Sequence, residues 1–459
     1  MARGSKAIAI AACVVGFLVL VFLKTAHAVP SFARQTGMDC TACHTVWPEL
    51  TAFGRYFKLT GYVMSKSDKP YEFPPPVAGL LQLSFTHTDK AQPRGFVEKN
   101  WATHVTSSGN DVVSLPQEAS LYYAGRIYDH LGAFVQGTLD GAANKFMLDM
   151  TDIRYGNSAH LFGKSLAFGA NVNNSPTLQD VWNSTPSFGF PYAASSVAPS
   201  PAAGAIIDGT LDQQVGGIGA YAFWNNLLYL GGAVYHSTET GIFQPLGAGT
   251  RMDSVVDGYA PYWRLVLQHQ WKKNFLSLGT FGLYSKIFPE GRTSGPSDKF
   301  TDTALDAQYQ YVGKKHLFSA HALLIHEDQD WDASFRLGNT AKTSGHLNTF
   351  RIHGHYYYRS PIGDFGWSTG YFSTTGNKDA VLYAPDPGDG SRTGRPDTNG
   401  FILELDYLPL GEKRTFFSPK VSLQYTVYNK FNGAHSNYDG FGRDASDNNT
   451  LFFLLWFMF

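Results

Sequence analysis

From Val77 to Phe459 apolar and polar residues alternate with a period of two, the spacing of strands whose two faces meet different surroundings. In "TALDAQYQY", Leu305, Ala307, Tyr309 and Tyr311 share one face, with Asp306, Gln308 and Gln310 on the other. "WRLVLQHQ" sets Trp263, Leu265 and Leu267 against Arg264, Gln268 and Gln270. "FILELDY" opposes Phe401, Leu403, Leu405 and Tyr407 to Glu404 and Asp406, and "VSLQYTVY" opposes Val421, Leu423, Tyr425 and Val427 to Ser422, Gln424 and Thr426. Residues 147–155 and 316–326 alternate poorly.

A soluble sandwich would alternate too, with its apolar face inward. The connections separate the two readings. Short turns at 129–130, 225–226, 272–274, 313–315 and 360–363 interleave with long polar loops at 90–118, 174–215, 238–257, 287–300, 327–345, 374–398 and 429–449. Short turns on one rim and long loops on the other mark an outer-membrane barrel. The last residues, "TLFFLLWFMF", resemble the assembly signal of bacterial outer-membrane proteins. The expected fold is therefore all-β, a transmembrane antiparallel β-barrel of about sixteen strands. With an even count, both ends of the barrel sit on the short-turn, periplasmic side.

Composition agrees. Charged residues make up 16% of the chain, against 25 Tyr, 34 Phe and 47 Gly, a poor match to a charged cytosolic surface. A net charge of −1 without a basic stripe argues against nucleic acid.

Upstream of the barrel the pattern differs. "MARGSK" followed by the apolar run Ala7–Leu23 and the Ala26-x-Ala28 site reads as a signal peptide over 1–28. An uncleaved helical anchor is the alternative. Cys13, inside the apolar run, has too few apolar residues before it for a lipoprotein site. Residues 29–69 are compact and partly helical in pattern. Residues 70–76, in "KPYEFPPP", form a stiff Pro-rich linker to the barrel at 77–459.

The mature chain then holds only Cys40 and Cys43, in "MDCTACHTVWPEL". C-x-x-C-H is the attachment sequence for c-type haem: two thiols add across the vinyl groups of one porphyrin, and the adjacent His lies under the iron. Cys40 and Cys43 would carry the thioethers and His44 the iron. Zinc would need two further ligands, which do not follow nearby. Met64 is the local candidate for the second axial ligand; Met38 lies too close to the attachment site. His353 and His355, of lumenal parity, are remote candidates, and both also suit a polar pore lining. Inward Asp306, Glu404 and Asp406 are hard oxygen ligands able to attract ferrous ions, or simply groups lining water.

"AVPSFARQTGMDCTACHTVWPELTAFGRYFKLTGY", Ala28 to Tyr62, resembles the amino-terminal cytochrome signature of the fused monohaem cytochrome–porins of iron-oxidising bacteria. The pattern is met at Phe32, Ala33, Arg34, Gln35, Thr36, Gly37, Pro48, Phe53, Gly54 and Lys58. The resemblance implies one covalent c-type haem, Fe(II) as extracellular electron donor, and a periplasmic c-type cytochrome or other soluble carrier as acceptor. That is an Fe(II) oxidase working by one-electron transfer in the outer membrane, in contact with its lipid. Within the signature, Arg34, Arg55 and Lys58 are candidate partners of the haem propionates, with solvated side chains as the alternative. Two other readings stay open: a porin or transporter whose haem-bearing plug is a gate or sensor, and electron transfer from a donor other than iron. A segment of about forty residues is too short for a self-sufficient core, so covalent haem and packing into the barrel lumen would have to complete it.

Overall fold

The structure, a computed structural model, describes residues 30–64, 75–92, 103–105, 109–141, 145–238, 244–247, 249–411 and 417–459. The expected signal peptide and residues 70–74 of the linker lie outside the described residues.

Sixteen long strands form one closed antiparallel ring. They are β1 (Val77–Thr88), β2 (Asp111–Tyr128), β3 (Leu131–Asp140), β4 (Lys145–Leu161), β5 (Lys164–Asn173), β6 (Gly216–Trp224), β7 (Leu228–His236) and β8 (Ala260–Trp271). The second half comprises β9 (Asn274–Phe288), β10 (Asp298–Val312), β11 (His316–Asp330), β12 (Ser344–Ser360), β13 (Gly363–Gly376), β14 (Thr398–Leu408), β15 (Ser418–Lys430) and β16 (Thr450–Met458). The ring closes because β1 pairs with β2 on one edge and with β16 on the other, from Leu80 opposite Met458 to Thr88 opposite Thr450. Closure leaves no unpaired edge, the condition for crossing hydrocarbon with strands. Two short strands, Thr103–Val105 and Val255–Val256, are appended to β2 and β9. The two stretches that alternate poorly both lie in full strands, β4 and β11.

Burial is inverted relative to a soluble protein. Leu121, Ile218, Leu278, Leu305, Trp367 and Leu405 face outward and are more than half exposed, whereas Arg264, Gln308, Gln310, Glu404, Asp406 and Gln424 point inward and are buried. The exterior thus offers an apolar belt to lipid and the interior a polar lining. The chain is an outer-membrane barrel.

The short turns hold. Asn225 and Asn226, between β6 and β7, both sit in the left-handed region at φ 54° and 50°, which fits a tight hairpin turn and the tolerance of Asn for that conformation. The long connections are trimmed, since β2 begins at Asp111 and β11 runs to Asp330, followed by the short helix Asp332–Leu337.

One expectation fails. The 174–215 connection is not an external loop but folds back into the lumen, where Leu178, Asp180, Val181, Trp182 and Thr185 are almost wholly buried. Wall and segment are locked together: Trp182 Nε1 donates to Gln268 Oε1 (2.9 Å), and Ile206 and Ile207 N–H groups donate to Glu327 and Asp302. A polar, Pro- and Ser-rich stretch reads as surface because a barrel's inside is polar too.

Candidate functional site: the lumenal plug

Residues 30–64 fold into three short helices, α1 (Pro30–Thr36), α2 (Cys40–Cys43) and α3 (Ala52–Leu59), packed inside the ring. The amino-terminal segment therefore plugs the lumen. Leu59 joins Trp182, Tyr221, Phe223, Tyr229, Val266 and Phe275 in one buried cluster, which brings together plug, lumenal segment and wall. Trp47 meets Trp456 of β16 edge-on at 4.8 Å. Each large apolar side chain fully withdrawn from water this way contributes ~2 kcal/mol.

The cysteines occupy one face of the single turn α2, three positions apart. They are thiols, not joined as a disulfide. Burial pushes the Cys43 thiol up to about 11. Beside them, His44 Nδ1 lies 3.2 Å from the Glu49 carbonyl oxygen. Burial, opposed by the Glu49 and Pro48 carbonyls, brings the imidazole down to about 4, so it is neutral at ordinary pH. With Nδ1–H donating to the carbonyl, Nε2 carries the lone pair, the arrangement in which a histidine coordinates a metal. Two thiols on one helical face and an oriented neutral imidazole directly after them fit the donor set of a c-type haem.

α2 is held from behind. Thr51 Oγ1 accepts from Gly54 N (3.2 Å), capping α3, and also donates to the Ala42 carbonyl (2.5 Å), while Thr51 N donates to Cys43 O (2.8 Å). At Gly54 a Cβ would run into the Cys43 carbonyl, so only glycine lets α3 approach α2 this closely.

The three candidate propionate partners have protein partners. Arg34 donates to the Val77 carbonyl at the start of β1. Arg55 NH1 donates to Leu50 O (2.6 Å) and Gln310 Oε1 (3.2 Å), with its guanidinium over Phe275 at 3.7 Å. Lys58 Nζ spends its three donors on Leu178 O (3.0 Å), Asp180 O (2.7 Å) and Asn183 Oδ1 (2.9 Å). An ammonium placed this way has each of its three N–H groups directed at a protein oxygen. Arg34 and Arg55 tie the plug to the wall, and Lys58 ties it to the inward-folded connection.

Met64 follows Tyr62, whose hydroxyl donates to Asp152 Oδ2 on β4 (2.5 Å), and is 45% exposed. The inward carboxylates are not loose ion-attracting groups. Asp306 is clamped by Arg264 through two bonds of 2.7 and 3.0 Å, and the same guanidinium reaches Asp180 at 3.0 Å. Glu404 and Asp406 share Lys420 at 3.4 and 3.1 Å.

Sequence reasoning missed Glu49. It is fully buried, and its side chain accepts from Ser319 (2.9 Å), Tyr192 (3.0 Å) and Thr45 (3.0 Å), with His321 Nε2 at 2.7 Å. Burial alone would raise its carboxyl, but the facing His321, His355 and His353 outweigh it and hold Glu49 well below the usual carboxylate range. Its place in "CHTVWPEL" carries no hint of wall partners roughly 270 residues away; only the lumenal parity of His353 and His355 pointed to this region.

Fold and plug together define a class: an outer-membrane β-barrel whose lumen is occupied by its own amino-terminal segment and one inward-folded connection. Among solved structures the chain is similar to the anion-selective porin of Comamonas acidovorans, at 11% identity and TM-score 0.43, covering 83% of this chain and 98% of that one. It is similar also to the outer membrane channel DcaP of Acinetobacter baumannii, at 10% identity and TM-score 0.43, covering 83% and 96%. No family model matches the sequence, and no curated protein does.

Proposed function

We propose that the chain is an outer-membrane electron-transfer protein of the Fe(II):cytochrome c oxidoreductase type, oxidising extracellular Fe(II) and delivering electrons to a periplasmic c-type cytochrome or other soluble carrier. The observation that supports it is the C-x-x-C-H sequence carried on a segment packed inside the barrel. Cys40 and Cys43 would hold one haem covalently, His44 would bind its iron, and Met64 is the candidate second ligand. A haem held there would supply a one-electron couple. The protein's own residues do the rest. Thr51 and Gly54 fix α2 against α3; Arg55 fixes α3 to the wall and Lys58 fixes it to the inward-folded connection; Leu59 and Trp182 exclude water from the centre. Both ends of the barrel would face the periplasm, together with the short turns.

A second reading has one observation in its favour: sixteen strands is the size of a porin that encloses an aqueous channel. In that case the plug would be a gate or sensor. Anaerobic addition of Fe(II) to the purified ferric protein discriminates. Loss of the oxidised haem bands and growth of the reduced ones supports electron transfer; an unchanged spectrum, or no haem spectrum at all, rejects it.

A further inference from the structure

Glu49 of the plug meets two histidines that are direct cross-strand partners, His321 on β11 and His353 on β12. The two imidazoles stack with centroids 4.6 Å apart and planes 16° off parallel. One nitrogen of each ring and one Glu49 oxygen all lie within 4.8 Å of one another. His321 Nε2 is 2.7 Å from Glu49 Oε1, and His355 Nε2 stands 3.6 Å from the same oxygen. His355 is otherwise occupied, with Nδ1 on Ser368 Oγ (2.7 Å) and Nε2 near the Tyr192 hydroxyl (3.0 Å). His353 differs: it makes ring contacts with His321, His355 and Phe190, but among the described residues none of its nitrogens has a hydrogen-bond partner. His353 is half-buried, and a nitrogen of its ring lies within 4.8 Å of the other two donor atoms, which leaves it available to an ion held among them.

We propose that Glu49, His321 and His353 form a site for one divalent first-row transition-metal ion. Two imidazoles and one carboxylate with open positions are the donor set that suits Fe(II), and imidazole equally suits Co(II) and Zn(II). On binding, the ion takes the place of the proton between His321 Nε2 and Glu49, which moves to His321 Nδ1 or leaves to solvent. Identifying the physiological ion as Fe(II) rests on the proposed function; the site itself does not. Were both correct, the ion would bind through Glu49, whose backbone carbonyl faces His44 Nδ1.

The test uses full-length, untagged protein in detergent, stripped with chelator, with Co(II) as probe and cobalt measured by elemental analysis after equilibrium dialysis. One tightly bound Co(II) per chain is expected. His353→Ala and His321→Ala should weaken binding at least tenfold, while His326→Ala, on an exposed side chain of the same strand β11, should leave it unchanged. His353→Ala removes no hydrogen bond, and its folding is checked by heat-modifiable mobility. Absent stoichiometric binding, or binding indifferent to His353→Ala, overturns the site. Because Co(II) donates no electron here, the two ideas fail separately. Cobalt binding without haem reduction by Fe(II) sinks the proposed function; haem reduction without cobalt binding sinks the site.

Discussion

Gly54 and Arg264 show how far single residues carry the plug. Gly54→Val would push α3 off the Cys43 carbonyl and tilt α2, so the variant should fold its barrel yet carry less haem. The ratio of haem absorbance to protein should fall severalfold, and an unchanged ratio would contradict the packing described. Arg264 is shared by Asp306 and Asp180 as their common cation, with almost no exposure. Arg264→Met leaves two buried carboxylates unpaired, a loss of about 3–5 kcal/mol, detectable as a lowered temperature for the heat-modifiable shift. Cys40, Cys43 and His44 fall within five positions on one helical turn and its end, so their spacing is visible in the string. The partners of Lys58 are not local: its cation meets oxygens 120–125 residues away. Nothing in "GRYFKLTGY" distinguishes such a staple from a propionate ligand.

At the level of elements, strands were legible because each separates lipid from lumen, and period two records that separation directly. β4 and β11 were harder: between Leu148 and Thr151 the register of β4 against β3 shifts by one residue, which breaks the alternation, and Ala320 and Ala322 of β11 are too small to mark a face. The 174–215 connection was misplaced for the reason already given, that its polarity suits a lumen as well as a surface. It carries its own prediction. Burial, reinforced by Asp208 and Asp149, pushes the Asp212 carboxyl up to about 7. A raised carboxyl binds its proton more tightly in the folded segment than in the unfolded one, so its contribution is complete below the ordinary carboxylate range and disappears as pH rises through about 7. Hydrogen exchange across 205–215, corrected for intrinsic rates, should therefore show more protection at pH 5 than at pH 8.5. Asp212→Asn should flatten the difference; protection that grows with pH would be contrary to the assignment.

For the molecule as a whole, the ring holds its amino-terminal segment and one inward-folded connection in the lumen. Trp182, Leu59, Asp180 and Glu49 fill the lumen with side chains that water does not reach. On the proposed function, what crosses this barrel is an electron and not a solute. The most direct measurement uses liposomes carrying the full-length protein, loaded with oxidised cytochrome c and a small fluorescent dye, with Fe(II) added outside under anaerobic conditions. The expected result is reduction of the enclosed cytochrome with the dye retained. Dye escaping while the cytochrome stays oxidised would show an open channel and contradict the account.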